Sequence, residues 1–482
     1  MQRALIRFVL EPLAKLTNKT SQKFQDRLFI FAGLGIFLYF FLYNMTLIPW
    51  RYLYSFVLCC GFLGLMILAG AGHELQPVRF RWSMGLCWFG VGALMLLSGV
   101  IHNFNYLPEA MLFLAAYPIL YICWGNGDTE RLFRLLIRLC RISAVIFLAA
   151  SFLFAQITLR KYGGIFHNVN NCANYLSLVC VCLAVEIAYC PRFSRRLVLD
   201  MLLFGACEAI IIYTNSRSGQ LSMLFAVAAG SVMFLLTHDR KKNLKFLVRA
   251  ASCALVSVVM ISSLLYVFQL RQYLPLPYYS TASHEFYFNQ RWDSVFNPPD
   301  PSAPSDPKDP DKPKDPDFFG LDSYEELNDK KNDTTDKTAD QFSTGRISIW
   351  KAYLKKLTLF GVAEKEPVYI DILYREINTT HVTILEIAYE SGIFAGILYF
   401  CVNILSGLLA IAYAWKHRRE KYALMPLMVI LTFGIDSVLR TTNISFNYMT
   451  TFYYYLILFP LITKDKDCEV PVPVSGEESE RS

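Results

Sequence analysis

The chain of 482 residues is 54% hydrophobic and 15% aromatic, and it carries a formal net charge of +7. Repeated apolar runs close to the length of a membrane span exclude an ordinary soluble domain and indicate an integral membrane protein with many spans. The sequence has no glycine-rich phosphate loop, nucleotide motif or nucleic-acid signature, which disfavours a nucleotide-sugar donor and a nucleic-acid partner.

Hydropathy predicts an all-α, polytopic fold of about twelve transmembrane helices. These helices are predicted at residues 27–43, 51–72, 82–101, 106–124, 136–158, 169–190, 197–214, 218–237, 247–268, 392–415, 422–440 and 444–463. Residues 1–26 are basic and lack a small-residue cleavage pattern, so they are expected to be a cytoplasmic segment and not a removed signal peptide. The membrane domain therefore has nine helices within 27–268 and three within 381–463, followed by a cytoplasmic tail at 464–482.

The distribution of Lys and Arg among the loops predicts the orientation of the chain. If the amino terminus is cytoplasmic, the inner segments carry 27 basic residues and the short outer loops carry five. Cytoplasmic loops retain such an excess, so we expect a protein of the cytoplasmic (inner) membrane with both termini inside. The exceptions in the short outer loops are Arg51, Arg160, Lys161, Arg217 and Arg440.

A large outer segment, residues 269–380, separates the two groups of helices. It contains 14 Lys and Arg against 19 Asp and Glu, which gives it a net charge of −5. Its proline-dense part, 297–317, predicts an extended, solvated linker without chemistry of its own. Beyond the linker, Arg346, Trp350 and Tyr353 recur on one helical face, which predicts an amphipathic helix lying on the membrane surface.

Arg217 stands between two apolar runs. Its neighbours are all small and polar: Thr214, Asn215, Ser216 and Ser218. An arginine that faces lipid costs a few kcal/mol, so Arg217 is expected to face a watered, protein-lined cavity at the outer surface. An arginine that extends to the lipid headgroups is the alternative interpretation.

Arg160 and Lys161 are adjacent cations at the start of a stretch rich in glycine and asparagine. Gly163 and Gly164 would let a ligand approach the backbone closely. Four amides follow where the sixth predicted span begins, at Asn168, Asn170, Asn171 and Asn174. A helix start that is merely capped by asparagine is the alternative.

The chain re-enters the membrane at residues 378–400. Thr379 or Thr380 is the predicted helix N-cap, which puts His381 in the first turn. A histidine has a near-neutral pKa that suits it to accept a proton, although a structural role is the alternative. Two glutamates on one helical face, and two glycines that permit a bend or close packing, follow it: Glu386, Glu390, Gly392 and Gly396.

The sequence predicts neither a metal site nor a cofactor. The large outer segment contains no cysteine, and its only histidine is His284, while its aspartates lack the spacing of metal ligands. Most of the 13 cysteines fall inside predicted spans, where they act as small apolar residues, so no disulfide framework is expected.

The outer cations together predict an anionic ligand at the membrane surface. They come from four separate outer segments and comprise Arg160, Lys161, Arg217, Arg346 and the titratable His381. Guanidinium groups bind phosphate oxygens through paired hydrogen bonds. A diphosphate carried on a lipid would place its charged group at this depth and its tail in the bilayer.

On these stretches the chain resembles the family of O-antigen ligases and Wzy-type polysaccharide polymerases. Three motifs occur in the family's order: GGIFHNVNNCANYLSL at 163–178, TNSRSGQLSMLF at 214–225, and GRISIW at 345–350 followed by HVTILEIAYESGIFAG at 381–396. The resemblance covers roughly residues 160–400.

This resemblance implies a GT-C-like, metal-independent, inverting glycosyltransferase. Such an enzyme would move a glycan from undecaprenyl diphosphate to an acceptor hydroxyl, on a second glycan or a lipid-linked glycan, at the outer face of the cytoplasmic membrane. The residues Arg160, Lys161, Arg217 and Arg346 would bind the diphosphate. His381 would be the catalytic base, with Glu386 or Glu390 as the alternative base.

Two other classes of function fit parts of the sequence. A flippase or other transporter of lipid-linked oligosaccharide would also use many spans and outer cations, but the chain lacks the paired, Gly/Pro-interrupted half-repeats of many transporters. A peptidoglycan-type polymerase is the third interpretation. Ligases and polymerases share the motifs, so the sugar and the acceptor stay open.

Overall fold

The computed structural model describes residues 2–17, 19–45, 47, 52–71, 75, 77–102, 107–124, 129–155, 162–190, 192–271, 277–280, 285–288, 346–370, 375–442, 446 and 448–463. Within this part of the chain, eight helices are long and apolar enough to cross a membrane, and three shorter apolar helices accompany them. The predicted all-α, polytopic membrane fold is confirmed. The number of spans stays a prediction.

The first group of elements is entirely helical. It comprises α1 (Gln2–Leu5), a π-helical turn (Ile6–Leu10), α2 (Glu11–Thr17), α3 (Gln22–Asn44), α4 (Tyr52–Gly70), α5 (Trp82–Ile101), α6 (Leu107–Met111), a second π-helical turn (Leu112–Ala116), α7 (Tyr117–Trp124), α8 (Thr129–Phe154), α9 (Val169–Tyr189), α10 (Arg195–Tyr213), α11 (Arg217–Thr237) and α12 (Arg240–Arg271).

The second group begins within the large outer segment. It comprises β1 (Pro277–Ser280), β2 (Glu285–Phe288), α13 (Arg346–Leu354), β3 (Val368–Ile370), β4 (Arg375–Ile377), α14 (Thr383–Ser391), α15 (Ile393–Lys416), α16 (Met425–Leu439), α17 (Met449–Ile457) and α18 (Phe459–Ile462). The two strand pairs, β1 with β2 and β3 with β4, are antiparallel. The predicted linker at 297–317 lies outside the described residues.

Each of the twelve predicted apolar segments coincides with a helix, but three helices begin earlier than predicted. Helix α3 begins at Gln22 instead of 27, α8 at Thr129 instead of 136, and α12 at Arg240 instead of 247. Hydropathy stops where charged residues begin, whereas the hydrogen-bonded helix continues for as long as one face remains buried. In α8, Leu132 and Leu136 form that buried face beneath the arginines.

Helix α9 is the centre of the bundle. In its most apolar window, 89% of the residues are buried inside the protein, and it packs against α8, α10, α11, α12, α16 and α17. A helix that is apolar on all sides is buried in protein or in lipid, and here protein covers most of it. The residues at the ends of α9 are therefore positioned relative to six neighbouring helices.

The two ends of the bundle differ in how their charges are compensated. At the end where α8 begins, which we call the basic end, Arg141 forms two hydrogen bonds of 2.6 and 2.9 Å to the carboxylate of Asp200. Arg131 pairs there with Asp26 at 2.7 Å. The opposite end, where α12 ends and α14 begins, is called the loop end. Helices α3, α10 and α16 also end there, and α9 and α11 begin there.

A small second core connects the outer segment to the loop end. Ile349 and Tyr353 of α13 are buried against the β3–β4 hairpin and α14. The hydroxyl of Tyr353 donates to the carbonyl of Ile377 at 2.9 Å, and its ring meets that of Tyr389 edge-on at 5.0 Å. The sequence predicted that the Tyr353 face would lie on the membrane, but this face is buried in protein because the hairpin and α14 cover it.

Two glycines join the outer segment to the start of α15. Gly361 and Gly392 have φ values of +83° and +100°, and a Cβ at Gly392 would overlap the carbonyl of Leu359. The N–H of Ile393 donates to the carbonyl of Thr358 at 3.0 Å. The bend predicted at Gly392 is confirmed, and it lets the loop backbone approach the junction of α14 and α15.

We expect Gly392→Ala to destabilise the protein, because its φ of +100° and ψ of 155° form a conformation that costs a residue other than glycine about 1–3 kcal/mol. Thermal unfolding of the purified protein measures the effect. Gly407→Ala is the matched control, since Gly407 lies within α15 with nothing within 4 Å of its position for a Cβ. Equal melting temperatures for the two variants would contradict this account of the junction.

The loop charges predict that the loop end faces outward, and cysteine labelling in whole cells tests this orientation. Lys355 and Arg419 are exposed at the loop end and the basic end, respectively. A membrane-impermeant maleimide should label Lys355→Cys in intact cells and Arg419→Cys only after permeabilisation, relative to the wild-type background. The reverse pattern would invert the topology.

Candidate functional site

Arg440 directly follows α16, and amides from α9 hold its side chain. Its Nη2 donates to Oδ1 of Asn171 at 2.6 Å. With the Asn174 amide oriented to satisfy both of its neighbours, Nη1 of Arg440 donates to the Asn174 oxygen, also at 2.6 Å. The guanidinium lies 5.9 Å from the ring centre of Tyr448. These partners are neutral, so they orient the guanidinium without cancelling its charge.

A buried carboxylate supports this arrangement from beneath. Asp436 lies one turn before Arg440, and its Oδ1 accepts hydrogen bonds from Ser222 at 2.6 Å and from the Asn174 amide at 3.3 Å. Its Oδ2 is buried and has no hydrogen-bond partner among the described residues. Asp436 thus fixes which way the Asn174 amide points, and the amide oxygen is left to accept from Arg440.

Arg346 brings a second guanidinium close to Arg440. It is the first residue of α13 and is half-buried. Burial, and the nearby positive charge of Arg440, lower the pKa of Arg346. No carboxylate in the described parts of the chain forms an ion pair with either arginine. Two cations held together in this way are stabilised by an anion placed between them.

Arg217 lies at the same end of the bundle as the first residue of α11. The hydroxyl of the preceding Ser216 donates to Oδ1 of Asn170 at 2.8 Å, which joins the start of α11 to the start of α9. Asn215 completes the turn with a φ of +53°. Arg217 itself is exposed, so the described residues do not form the enclosed cavity that the sequence predicted around it. The unpaired N–H groups at the start of α11 add to its positive field.

His381 precedes α14 and is not part of its first turn. The N-cap of α14 is Val382, so the prediction of an N-cap at Thr379 or Thr380 is wrong. The reason is that Thr380 makes other hydrogen bonds, with its N–H donating to Glu386 at 2.8 Å and its hydroxyl donating to the Val382 carbonyl at 2.8 Å. His381 has a φ of +55°, a left-handed conformation that is uncommon outside glycine.

A pair of threonines places the His381 segment beside Arg440. The hydroxyl of Thr383 contacts the Arg440 carbonyl at 3.0 Å and the hydroxyl of Thr442 at 2.9 Å. The N–H of Thr442 donates back to Thr383 at 2.9 Å. The side chain of the residue two positions after His381 is therefore hydrogen-bonded to the backbone of Arg440.

Glu386 and Glu390 share one face of α14, as predicted, and Lys365 pairs with both of them. The Lys365–Glu390 distance is 2.5 Å, and the second pair is formed with Glu386. The remaining oxygen of Glu386 accepts the Thr380 N–H. Although burial opposes it, the carboxylates of Glu390 and Glu386 raise the pKa of Lys365. Burial raises the pKa of Glu390 to about 7, with the Lys365 ammonium opposing this rise.

The predicted site residues of the loop before α9 are only partly testable. Arg160 and Lys161 lie outside the described residues. Gly164, with a φ of +60°, gives its space to the side chains of Phe147 and Ser151 and not to a ligand. The capping interpretation of the asparagines is correct for one of them, because the first, Asn168, accepts the N–H of the residue two positions on at 2.9 Å as the N-cap of α9.

Metal ligation receives no support from the described residues, which contain no group of three or more His, Cys, Asp or Glu side chains able to hold an ion. Their cysteines are unpaired and mostly buried in helices. Independence from a metal stays a prediction.

The sequence reasoning missed Arg440, its amide partners and Asp436 as members of one site. One signal was present, since Arg440 was among the few basic residues of the short outer loops. A second signal was Asp436, a carboxylate inside an apolar span and one turn from that arginine. Their connection through Asn174 needed the tertiary structure, because 262 positions of sequence separate Asn174 from Asp436.

We expect the purified protein to bind inorganic pyrophosphate through these arginines. Arg440→Gln and Arg346→Gln should each weaken binding about tenfold or more, which is the loss expected for one charge-assisted contact. A calorimetric titration measures the affinities. Arg418→Gln, at the exposed basic end, is the control and should bind as the wild type does. Undiminished binding by both site variants would show that the arginines do not form an anion site.

Comparison with known families now bears on this site. Residues 201–400 match the family model described as O-antigen ligase. No individual characterised protein matches the chain significantly. The matched region contains Arg217, Arg346 and His381, whereas Arg440 and the asparagines of α9 lie outside it. The match spans 200 of the 482 residues and supports an O-antigen ligase or Wzy-type polysaccharide polymerase family for this multi-pass membrane protein.

Proposed function

We propose that this protein transfers a glycan from a polyprenyl-diphosphate donor, such as undecaprenyl diphosphate, to an acceptor hydroxyl at the outer face of the cytoplasmic membrane. The observation that carries the proposal is the set of loop-end arginines, which we call the arginine cluster: Arg346 lies near Arg440, Arg217 begins α11 at the same end of the bundle, and no described carboxylate pairs with them. The turn that carries His381 is attached to this cluster. The protein acts as an O-antigen ligase or as a polysaccharide polymerase, depending on its acceptor.

The arginines bind the diphosphate of the donor. As the bond between the anomeric carbon and the diphosphate oxygen breaks, negative charge accumulates on the departing diphosphate. Guanidinium groups already fixed in position stabilise this charge more than that of the ground state, and this difference lowers the barrier. Arg440 meets the condition, because two amides hold it at 2.6 Å before any ligand arrives. Arg160 and Lys161 remain proposed as further diphosphate ligands.

His381 serves the acceptor. Its imidazole takes the proton of the acceptor hydroxyl as that oxygen attacks the anomeric carbon from the face opposite the diphosphate. One glycosidic bond forms, one carbon–oxygen bond to diphosphate breaks, and the configuration at the anomeric carbon inverts. The left-handed turn at His381 presents the ring at the start of α14, and the Glu386–Thr380 hydrogen bond holds that turn.

The two glutamates divide between a positioning role and an alternative catalytic role. Glu386 has one oxygen on Lys365 and the other on the Thr380 N–H, so its carboxylate positions the His381 turn and is not presented to an acceptor. Glu390, with a pKa raised to about 7 by burial, is the alternative base.

Arg217→Lys and His381→Ala should fail in different ways. The lysine keeps the charge but loses the planar, two-pronged contact with phosphate, so donor binding and transfer should both fall. His381→Ala should bind donor nearly as the wild type does and lose turnover by about a hundredfold or more. The measurement is in vitro transfer from purified lipid-linked donor, run beside a donor-binding titration.

Arg418→Lys and His417→Ala are the matched controls, because both residues lie at the basic end and should leave donor binding and turnover unchanged. Near-wild-type transfer by Arg217→Lys would assign that arginine to lipid headgroups. Undiminished turnover by His381→Ala would move the base to Glu390. Movement of donor across vesicles without glycan transfer by the wild type would identify a flippase instead.

A further inference from the structure

A polar cavity of about 710 Å³ lies on the outer segment, beside α14 and apart from the arginine cluster. Its volume falls within the range of roughly 300–1,000 Å³ typical of small-molecule sites. Charged side chains, an aliphatic side chain and a buried ring line it: Lys356, Glu364, Lys365, Glu366, Val362 and Tyr389.

The walls of this cavity are fixed to the membrane domain. The carbonyl of Thr358 accepts the N–H of Ile393 at the start of α15, at 3.0 Å, and Lys365 is anchored on the two glutamates of α14. Across the rim, Lys356 and Glu366 form an ion pair of 3.0 Å. Seven of the eight lining residues thus come from one stretch, 356–367, which these contacts attach to α14 and α15, and Tyr389 of α14 is the eighth.

The charges of the lining differ in kind from those of the arginine cluster. The lining holds two lysines and two glutamates, Lys356 pairs with Glu366, and Lys365 pairs with Glu386 and Glu390 of α14, so no excess positive charge is left to select an anion. It instead offers ammonium donors beside carboxylate acceptors. A sugar hydroxyl is both donor and acceptor, so an array of both types suits a neutral, hydroxyl-rich ligand.

The lining also contains apolar surface of the kind that pyranose rings contact through their C–H groups. Val362 and Pro367 supply aliphatic atoms, and the ring of Tyr389 lies on the α14 side. Tyr389 is only 2% exposed, and no residue in the described ranges hydrogen-bonds its hydroxyl. An aromatic ring with a polar tip meets both requirements of a sugar ligand.

The cavity is connected to the turn of His381 by consecutive contacts. Lys365 of the lining pairs with Glu386, and Glu386 accepts the N–H of Thr380, which precedes His381. Along α14, Tyr389 lies six residues beyond the first residue, Thr383, a rise of about 9 Å. That distance is comparable to one or two sugar units.

We propose that this cavity binds the acceptor glycan, holding neutral sugar units next to the one whose hydroxyl reacts at His381. The proposal rests on the proposed function, because it assigns the acceptor side of the same reaction. Specificity for the acceptor is then determined by residues 356–367 and Tyr389, separately from the arginines that bind the donor.

Saccharide titrations of the purified full-length protein test the proposal. The probes are neutral hexose and 6-deoxyhexose trisaccharides, together with matched trisaccharides containing a uronic acid, and saturation-transfer NMR reports binding. We expect millimolar affinity for at least one neutral trisaccharide and weaker binding of its acidic counterpart. Ala363→Trp fills the cavity and should weaken binding about tenfold or more.

Lys355→Met is the matched control, since Lys355 is exposed one residue from Lys356 and does not line the cavity. Unchanged pyrophosphate binding by Ala363→Trp verifies that this variant is folded, and Glu366→Gln supplies a milder change with a smaller loss. Binding of no neutral trisaccharide, or equal binding by the wild type and Ala363→Trp, would refute the subsite. Failure of the proposed function would appear differently, as absence of donor-dependent transfer by the wild type.

Discussion

The attachment of Arg440 to the start of α9 is the interaction on which the loop end depends. A guanidinium removed from bulk water needs hydrogen-bond acceptors, and here the amides of Asn171 and Asn174 supply them at 2.6 Å. Because six other helices pack against α9, the surrounding bundle positions these amides. The carbonyl of Arg440 accepts a hydrogen bond from the hydroxyl of Thr383. Arg440 therefore connects α9, α16 and α14.

The nature of those partners distinguishes Arg440 from Arg141 at the basic end. Arg141 at the basic end already forms a two-pronged contact with Asp200, which satisfies its charge and its geometry. Arg440 instead contacts the amides of Asn171 and Asn174, and the carboxylate of Asp436 accepts a hydrogen bond that orients the Asn174 amide. A bound diphosphate would supply the negative charge that the protein partners of Arg440 lack.

In the proposed reaction, donor and acceptor meet at the few residues before α14. His381 lies between Thr380, which Glu386 holds, and Thr383, which is attached to Arg440. Glu386 also pairs with Lys365, which lines the polar cavity, whereas Thr383 connects the turn to the arginines. Close approach at Gly392 brings the outer segment against the same helix. This arrangement explains how a large outer insertion can contribute to a site at the end of a membrane bundle.

The sequence by itself determined the membrane class and the approximate positions of the helices, because hydropathy is a local property. The shared face of Glu386 and Glu390 was also predicted, and the candidate site residues Arg217, Arg346 and His381 were proposed from loop charge and short motifs. A prediction from local pattern was wrong where a residue formed hydrogen bonds other than those that the pattern assumed. Thr380 looked like an N-cap, but its N–H and hydroxyl bind elsewhere, so the helix starts later and His381 adopts a left-handed turn.

Only the tertiary structure joined Arg440 to Asn174 and Asp436, and Lys365 to α14. Each of these contacts joins residues from different elements. Its strength depends on how far the packed elements exclude water from it, and no single segment of sequence shows that.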